Sequence, residues 1–326
     1  MPMPMPPSDA PSPAPARSAD AAPAAETSPE TSPETSPPAA RRVPTLVVAY
    51  EDPAARPGTR PLAVETPVNL VYGGVPYAVM MTTPRDLADF AYGFSLTEGI
   101  VEGADEIRAV RVEPGEGEGA GGEGHAGEGH GGLRLVVDLA PGRLRAHLAR
   151  KRALSGRTGC GVCGIEDLAD LPLAGPRAEG EGDETRGPRV AVAAIAAALA
   201  ALGERQDLNR ETRAVHAAAW ARLDGTIVAV REDVGRHNAL DKLVGAMLRA
   251  GVDPAEGFLV ITSRCSFEMA EKAAAFGARV LVAISAPTSL AVERARGHGM
   301  TLCAIARSDT LTVFAGPDRL VLADPA

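Results

Sequence analysis

The stretch GFLVITSRCSFEMAEKAAAFGARVLVAISAPTSLAVERARGHGMTLCAIA, residues 257–306, decides the fold. Short apolar runs rich in Val, Ile and Leu alternate in it with longer runs of helical periodicity, and Gly, Pro or Ser separate the two kinds of run. The predicted strands are 257–262, 279–285 and 301–306, and the predicted helices are 266–276 and 288–297. This alternation predicts a partly parallel, mixed α/β sheet flanked by helices, with its binding site at the strand ends.

The sequence before this stretch predicts two β-hairpins and several further elements. The pairs Gly73-Gly74 and Asp224-Gly225 separate apolar runs, which is typical of tight hairpin turns. Thr83 and Pro84 are typical of a helix start, so a helix is expected from there to about Glu98. The hairpin strands are expected at 67–72, 75–82, 215–223 and 226–231, further strands near 108–112 and at 133–139, and further helices at 190–202 and 238–250.

Low-complexity segments divide the chain into parts. Residues 1–42 consist mainly of Pro, Ala, Ser and Glu and cannot bury enough apolar surface to offset their ordering entropy, so a disordered tail is expected. A smaller N-terminal β-rich subdomain is expected at 43–150, with a flexible Gly/Glu loop at 113–132. A cysteine loop and linker follow at 151–188, and an α/β domain at 189–326.

Composition and charge exclude some classes of protein. The formal net charge of the 326 residues is -9, but the tail and the Gly/Glu loop carry about -4 each, so the remainder is close to neutral. A near-neutral folded part, in a chain with only 3% aromatic residues, does not favour nucleic-acid binding. The sequence has no apolar run of about 18 residues and no secretory signal, so we expect a cytoplasmic protein that does not enter a membrane.

The segment SGRTGCGVCG, residues 155–164, contains a CxxC pair formed by Cys160 and Cys163. Its glycines predict a backbone that can approach another molecule closely. Nearby Arg152 and Arg157, and the start of a short helix after the pair, favour the thiolate over the thiol. A reduced, reactive pair of this kind is expected in the cytoplasm rather than a structural disulfide.

Four kinds of site compete for this pair. A structural zinc site usually needs four ligands, and the other two cysteines, Cys265 and Cys303, stand singly. A thioredoxin-type site usually follows the first strand of a small domain, and a zinc deaminase needs His-x-Glu and Pro-Cys-x-x-Cys, whereas Ala217 and Ala218 follow His216 here. Sulfur relay needs one nucleophilic thiol on a mobile loop and makes the fewest further demands.

The string EDVGRHNALDK, residues 232–242, lies between a predicted strand and a predicted helix. The free amides at a helix start suit a phosphate, Arg236 could add a bidentate contact, and His237 could donate to the phosphate or relay a proton. For Asp233 a helix-capping role and a ligand-binding role both stay open.

Two more strand-to-helix turns contain hydroxyl groups, at 263–266 and 285–289. In an open α/β sheet such turns face one crevice, so Arg264 and the hydroxyls of Ser285, Thr288 and Ser289 are candidates for a nucleotide site. Each hydroxyl taken singly is more typical of a helix cap.

Several residues receive a structural interpretation. Glu268 and Lys272 are four apart and could form a helix ion pair. Packing roles are expected for Trp220 and for Met80 and Met81, burial as small hydrophobic residues for Cys265 and Cys303, and a core position for His216.

Together, TGCGVCG (158–164), EDVGRHNALDK (232–242) and SAPTSLAV (285–292) resemble the formate dehydrogenase accessory sulfurtransferase family, FdhD. The resemblance covers roughly residues 45–321. It implies a cytidine-deaminase-like fold and a homodimer. It also implies that Cys160 bears a persulfide with Cys163 as its partner, and that a cofactor-binding segment in the domain at 189–326 consists of Ile305, Ala306, Arg307, Ser308, Asp309 and Thr310.

The resemblance implies a function as well. Members of the family take sulfur from a cysteine desulfurase and pass it to the molybdenum bis(molybdopterin guanine dinucleotide) cofactor before that cofactor enters the formate dehydrogenase apoenzyme. The molybdenum cofactor is then a bound substrate, and we expect no permanent cofactor and no metal site. Two alternatives remain: a non-catalytic chaperone for the cofactor, and a zinc-stabilised binding module.

The chain departs from the family pattern near the expected nucleotide pocket. Arg213-Ala214 replaces a Gly-Gly pair before His216, and Asn209 replaces an aromatic residue. Ser263 replaces the glycine of a Gly-Arg pair, and Thr310 lies in a segment that is usually more aromatic and basic. These changes bear on cofactor binding rather than on the cysteine pair.

Overall fold

The computed structural model describes residues 37–50, 52–115, 132–145 and 187–322. The strands are β1 Ala40–Ala49, β2 Asp52–Ala63, β3 Thr66–Tyr72, β4 Val75–Thr82, β5 Ile107–Pro114, β6 Leu133–Leu139, β7 Val190–Ala191, β8 His216–Arg222, β9 Ile227–Asp233, β10 Gly257–Ile261, β11 Val280–Ala283, β12 Thr301–Ala304, β13 Thr312–Ala315 and β14 Leu320–Val321. The helices are α1 Leu87–Thr97, α2 Val192–Leu202, α3 Asp207–Thr212, α4 Arg236–Arg249, α5 Phe267–Phe276 and α6 Ser289–Gly297.

A six-stranded mixed sheet, in the order β13-β12-β11-β10-β8-β9, forms the larger half of the fold. Strands β10, β11 and β12 are parallel, whereas β8, β9 and β13 run antiparallel to their neighbours. The parallel strands are linked by α5 and α6, as the alternating pattern of residues 257–306 predicts. The prediction of a mixed α/β fold is confirmed.

Both faces of this sheet are buried, which explains the continuous apolar runs in its strands. Residues at alternate positions point to opposite faces: Trp220, Leu259 and Leu281 belong to one core cluster, together with residues of α4, α5 and α6. Phe258 and Val282 belong to the other cluster, which α2 covers. The packing role predicted for Trp220 is confirmed, because its ring is buried edge-to-face against Phe276.

A four-stranded sheet, in the order β4-β3-β6-β5, forms the second layer of the molecule. Its buried side chains and those of α1 belong to the same core cluster as α4 and α5, so the β-rich part and the α/β part share one core. Helices α1 and α4 cross very closely at Gly93 and Gly245. A Cβ at Gly245 would lie 1.8 Å from the carbonyl oxygen of Asp89, so only glycine permits this crossing.

Most predicted elements are present, with corrections at their ends. Both hairpins and the helices and strands of 257–306 are confirmed within a few residues. Strand β1 begins at Ala40, so the last residues of the predicted tail 1–42 belong to a strand, and the sequence pattern gave no sign of the β1–β2 hairpin. Helix α1 begins only at Leu87, because Asp86 before it has a left-handed backbone.

Three smaller expectations have different outcomes. Met80 packs against the core, but Met81 is half exposed, so the core position predicted for it is wrong. Cys265 and Cys303 are buried free thiols, as predicted. Residues 1–36, 116–131 and 146–186, which include Cys160 and Cys163, lie outside the described residues. None of the helices in the described ranges is both long and apolar enough to cross a membrane.

Candidate functional site at the loop edge of the six-stranded sheet

The sheet topology brings the predicted site segments to one edge. The carboxyl ends of β10, β11 and β12 lie side by side because these strands are parallel, and the register of β8 with β9 places His216 opposite Asp233 at the same edge. We call this the loop edge: His216 and the turns 234–238, 262–266, 284–289 and 305–311. Every described residue that the sequence analysis proposed for the nucleotide site lies in these turns, which agrees with the general position of ligand sites in α/β sheets.

Asp233 is buried and organises the turn that follows β9. Its Oδ2 atom lies 2.6 Å from the Nζ of Lys242 and accepts hydrogen bonds from the Oγ1 of Thr82 at 2.5 Å and the backbone N–H of Thr83 at 2.9 Å. Asp233 and Lys242 are both 0% exposed. The ion pair therefore joins the end of β9 to the middle of α4, and the contacts with Thr82 and Thr83 join both to the end of β4, so Asp233 serves the fold rather than a ligand.

The same carboxylate also closes the turn that precedes α4. Its Oδ1 atom accepts the backbone N–H of Gly235 at 2.8 Å and the side-chain amide of Asn238 at 3.1 Å. The Asn238 amide also donates to the carbonyl oxygen of Met81 at 2.8 Å. Asp233 thus closes an Asx-type turn just before α4, whose N-cap residue Gly235 receives no side-chain cap, so the helix-capping role considered for Asp233 is not the one observed.

A second buried network holds α4 against α5 and α1. The Nζ of Lys272 lies 2.9 Å from the Oδ2 of Asp241 and 3.2 Å from the Oε1 of Glu98, and it donates to the Oγ1 of Thr97 at 2.9 Å. Burial lowers the pKa of Lys272, but the carboxylates of Asp241 and Glu98 outweigh it and hold this pKa above its usual value. The helix ion pair predicted between Lys272 and Glu268 is wrong, because Lys272 turns to another helix.

Glu268 instead faces His237, across the gap between α5 and α4. The Nε2 of His237 lies 3.0 Å from the Oε2 of Glu268, and the hydroxyl of Ser266 donates to the same oxygen at 3.3 Å. The close contact with His237 lowers the pKa of Glu268 below its usual value, so the carboxylate is charged at neutral pH. This pair bridges the turn after β9 and the turn after β10.

Arg236 and His216 complete this part of the loop edge. The Nε of Arg236 is buried and makes no hydrogen bond with the described residues, so the guanidinium has capacity left for a ligand. Burial lowers the pKa of His216, and the positive charge of Arg236 lowers it further. His216 is half-buried at the start of β8, so the core position expected for it is wrong. The electrostatics here favour an anion.

The turn after β11 is held by its backbone. The N–H of Cys265 donates to the carbonyl of Ala286 at 3.2 Å, and the N–H of Thr288 donates to the carbonyl of Cys265 at 2.9 Å. The hydroxyl of Thr288 accepts the N–H of Ala291 and so caps α6, which is the ordinary role considered for it. Ser285 is partly exposed, and Ser289 and Arg264 are exposed, so these three can still reach a ligand.

The segment after β12 contains a strained residue. Ile305 has a φ of 52°, in the left-handed region that β-branched residues avoid, and its side chain is exposed. The Nη1 of Arg307 donates to the carbonyl oxygens of Ile284 and Ala306, which joins this segment to the end of β11. Backbone strain of this kind is often found at functional sites.

The rest of this segment forms a short exposed turn. The N–H of Arg307 donates to the carbonyl of Thr310 at 2.7 Å, and Ser308, Asp309 and Thr310 are exposed. Ala306 is buried in the core cluster under α2, so only its backbone could contact a ligand.

Sequence reasoning missed two features of the loop edge. The pairing of His237 with Glu268 had no signal in the spacing of residues, because the two lie on different helices. The strain at Ile305 had none either, since a β-branched residue normally argues for an extended backbone. Burial raises the pKa of Cys265 to about 12, so this thiol at the loop edge is not a nucleophile.

Comparisons with known proteins agree with the resemblance. A family model described as the FdhD/NarQ family matches residues 63–321. A protein of Xanthomonas euvesicatoria pv. vesicatoria named sulfur carrier protein FdhD is 47% identical over 80% of this chain and 86% of its own length. One of the same name from Variovorax paradoxus is 44% identical over 79% of this chain and 86% of its own length.

A solved structure shows the same fold. A protein from Desulfotalea psychrophila, described as a formate dehydrogenase accessory protein, superposes with a TM-score of 0.62, at 22% identity over 87% of this chain and 100% of its own. The extent of the family match and the identity to its named members lead to one conclusion: the chain belongs to the FdhD/NarQ family.

Proposed function

We propose that this protein is a sulfur carrier in the maturation of formate dehydrogenase. It takes persulfide sulfur from a cysteine desulfurase on Cys160 and transfers it to the molybdenum bis(molybdopterin guanine dinucleotide) cofactor, which it binds as a substrate. The names of its relatives and the CxxC pair at Cys160 and Cys163 support the carrier role. The formate dehydrogenase apoenzyme is then the recipient, and a cytoplasmic homodimer is the expected state.

The loading step needs only a thiolate and a sulfane donor. The thiolate of Cys160 attacks the terminal sulfur of the desulfurase persulfide. A new S–S bond forms on Cys160, the donor's S–S bond breaks, and the donor cysteine leaves as a thiolate. The thiols of Cys265 and Cys303 cannot replace Cys160, because burial raises the pKa of each to about 12.

The observation that best supports the cofactor site is the convergence of cationic groups and helix starts at the loop edge. Arg236, Arg264 and Arg307 lie in three turns of this edge, and α4, α5 and α6 all begin there. Free amides at helix starts and guanidinium groups are the donors that phosphates prefer. A guanine dinucleotide carries a diphosphate, and the cytidine-deaminase-like fold that the family resemblance implies also favours a nucleotide at this edge.

Intact-mass spectrometry tests the carrier role. The full chain is incubated with a cysteine desulfurase and cysteine, and we expect a gain of one sulfur atom that reductant removes. Cys160→Ala should abolish the gain and formate dehydrogenase maturation, while Cys265→Ala, which changes only a buried thiol, should keep both. Full maturation by Cys160→Ala would contradict the proposal and favour a non-catalytic cofactor chaperone instead.

A further inference from the structure

The contact between His237 and Glu268 joins the first turns of two neighbouring helices. His237 is the second residue of α4, and Glu268 is the second residue of α5. The two side chains are 22% and 18% exposed, and their Nε2 and Oε2 atoms are 3.0 Å apart. Because Ser266 donates to the same carboxylate oxygen, Glu268 is held from two directions at the loop edge.

A carboxylate is unexpected among the cations of this edge. It repels an anionic ligand, and the negative charge of Glu268 partly cancels the positive charge of Arg236. An acidic residue in the first turn of α5 is favoured by the helix dipole, but this would not require the carboxylate to face an imidazole. Its direct contact with His237 indicates a role that acts through that ring.

We propose that Glu268 is a positioning residue that orients His237 toward the phosphate of a guanine nucleotide. This inference rests on the proposed function. With Nε2 of His237 3.0 Å from the Oε2 of Glu268, Nδ1 is the ring nitrogen that remains for a ligand. A ring protonated on both nitrogens gives one N–H to the carboxylate and the other to the phosphate. Carboxylates fix the tautomer and orientation of metal-bound histidines in the same way.

Titration calorimetry with GDP as the probe tests the inference. Glu268→Ala should weaken GDP binding by about tenfold, which is the range of a lost charge-assisted hydrogen bond. Glu268→Gln keeps an acceptor oxygen and should lose less affinity, and it replaces the alanine variant if that one does not fold. Glu293→Ala removes an exposed carboxylate from the next helix and should bind GDP as wild type does.

A double-mutant cycle distinguishes a role of Glu268 in orienting His237 from a direct effect of its charge on GDP. If Glu268 acts through His237, then adding Glu268→Ala to His237→Ala should cause almost no further loss of affinity for GDP. The ¹⁵N signals of the His237 ring should also change in Glu268→Ala, because the carboxylate lies 3.0 Å from Nε2. An equal loss of affinity with and without His237, or an equal loss in Glu293→Ala, overturns the inference.

The cycle also separates this inference from the proposed function. If wild-type protein binds GDP and Glu268→Ala binds it equally well, the positioning role alone is wrong. If wild-type protein does not bind GDP, the nucleotide site at the loop edge is wrong and the positioning role is wrong with it. Sulfur loading on Cys160 is expected to be the same in all these variants, because it involves the desulfurase only.

Discussion

The string 232–242 contains two regions that differ in their surroundings. Asp233, Asp241 and Lys242 are buried in ion pairs that tie α4 to β4, α1 and α5. Arg236 and His237 lie between them in sequence but are partly exposed at the loop edge. Most of this motif therefore holds the fold together, and only Arg236 and His237 are placed to contact a ligand.

The difference explains why the turn is rigid enough to present a ligand site. An ion pair that is 0% exposed stabilises only one arrangement, because a shift of either group leaves a buried charge unpaired. Asp233 also accepts the N–H of Gly235, so the residue before Arg236 is held by the same carboxylate. The buried region thus fixes where the open region lies.

The largest expected effect comes from breaking the buried region. Asp233→Ala leaves the ammonium of Lys242 buried without its carboxylate and should lower the free energy of unfolding by about 3–5 kcal/mol. Urea denaturation followed by circular dichroism measures this loss. The matched variant Arg236→Ala should change the free energy of unfolding by less than about 0.5 kcal/mol. Equal losses in the two variants would contradict the division of the motif.

A smaller effect is expected at the helix crossing that supports this region. Gly245→Ala places a Cβ where the carbonyl oxygen of Asp89 now lies, so α1 and α4 must separate, at a cost of about 1–3 kcal/mol. Gly203→Ala is the control, because a Cβ there meets no atom within 4 Å. Thermal unfolding should show a lower Tm for Gly245→Ala and an unchanged or higher Tm for Gly203→Ala.

The sequence could predict the sheet because its signals are local. Apolar runs bounded by Gly, Pro and Ser gave β10, β11 and β12 within a few residues, and parallel strands then placed the turns at one edge. The β1–β2 hairpin could not be predicted in this way. Its strands contain prolines and arginines and expose Leu46 and Val48, so no alternating pattern marks them.

The site could be predicted only as a set of segments. The residues that meet across helices, such as His237 with Glu268 or Asp241 with Lys272, are about 31 positions apart, and no helix or strand period relates them. The i to i+4 rule instead favoured Glu268 with Lys272, and tertiary packing overrode it. Partner choice for long charged side chains is decided by which helices cross, and the sequence does not give that crossing directly.

The smallest expected effect concerns a strained residue just outside the loop edge. Arg213 ends α3 with a φ of 55°, at the position where the family resemblance places glycine. Its side chain is exposed, and a left-handed backbone costs a non-glycine residue about 1–2 kcal/mol. Arg213→Gly removes this strain, but glycine has more freedom in the unfolded chain, which offsets part of the gain. The free energy of unfolding should therefore rise by about 0.5–1 kcal/mol.

The control for this prediction is Arg222→Gly. Arg222 is also exposed, but it lies at the end of β8 with a strand backbone, where glycine is unfavourable. Urea denaturation should therefore show opposite signs for the two arginine-to-glycine changes. A loss of stability in both would mean that the Arg213 side chain contributes more than its backbone strain costs. A gain in stability confined to Arg213→Gly would show that the strained backbone next to the loop edge costs stability. The buried ion pairs of residues 232–242 do the opposite and stabilise the fold.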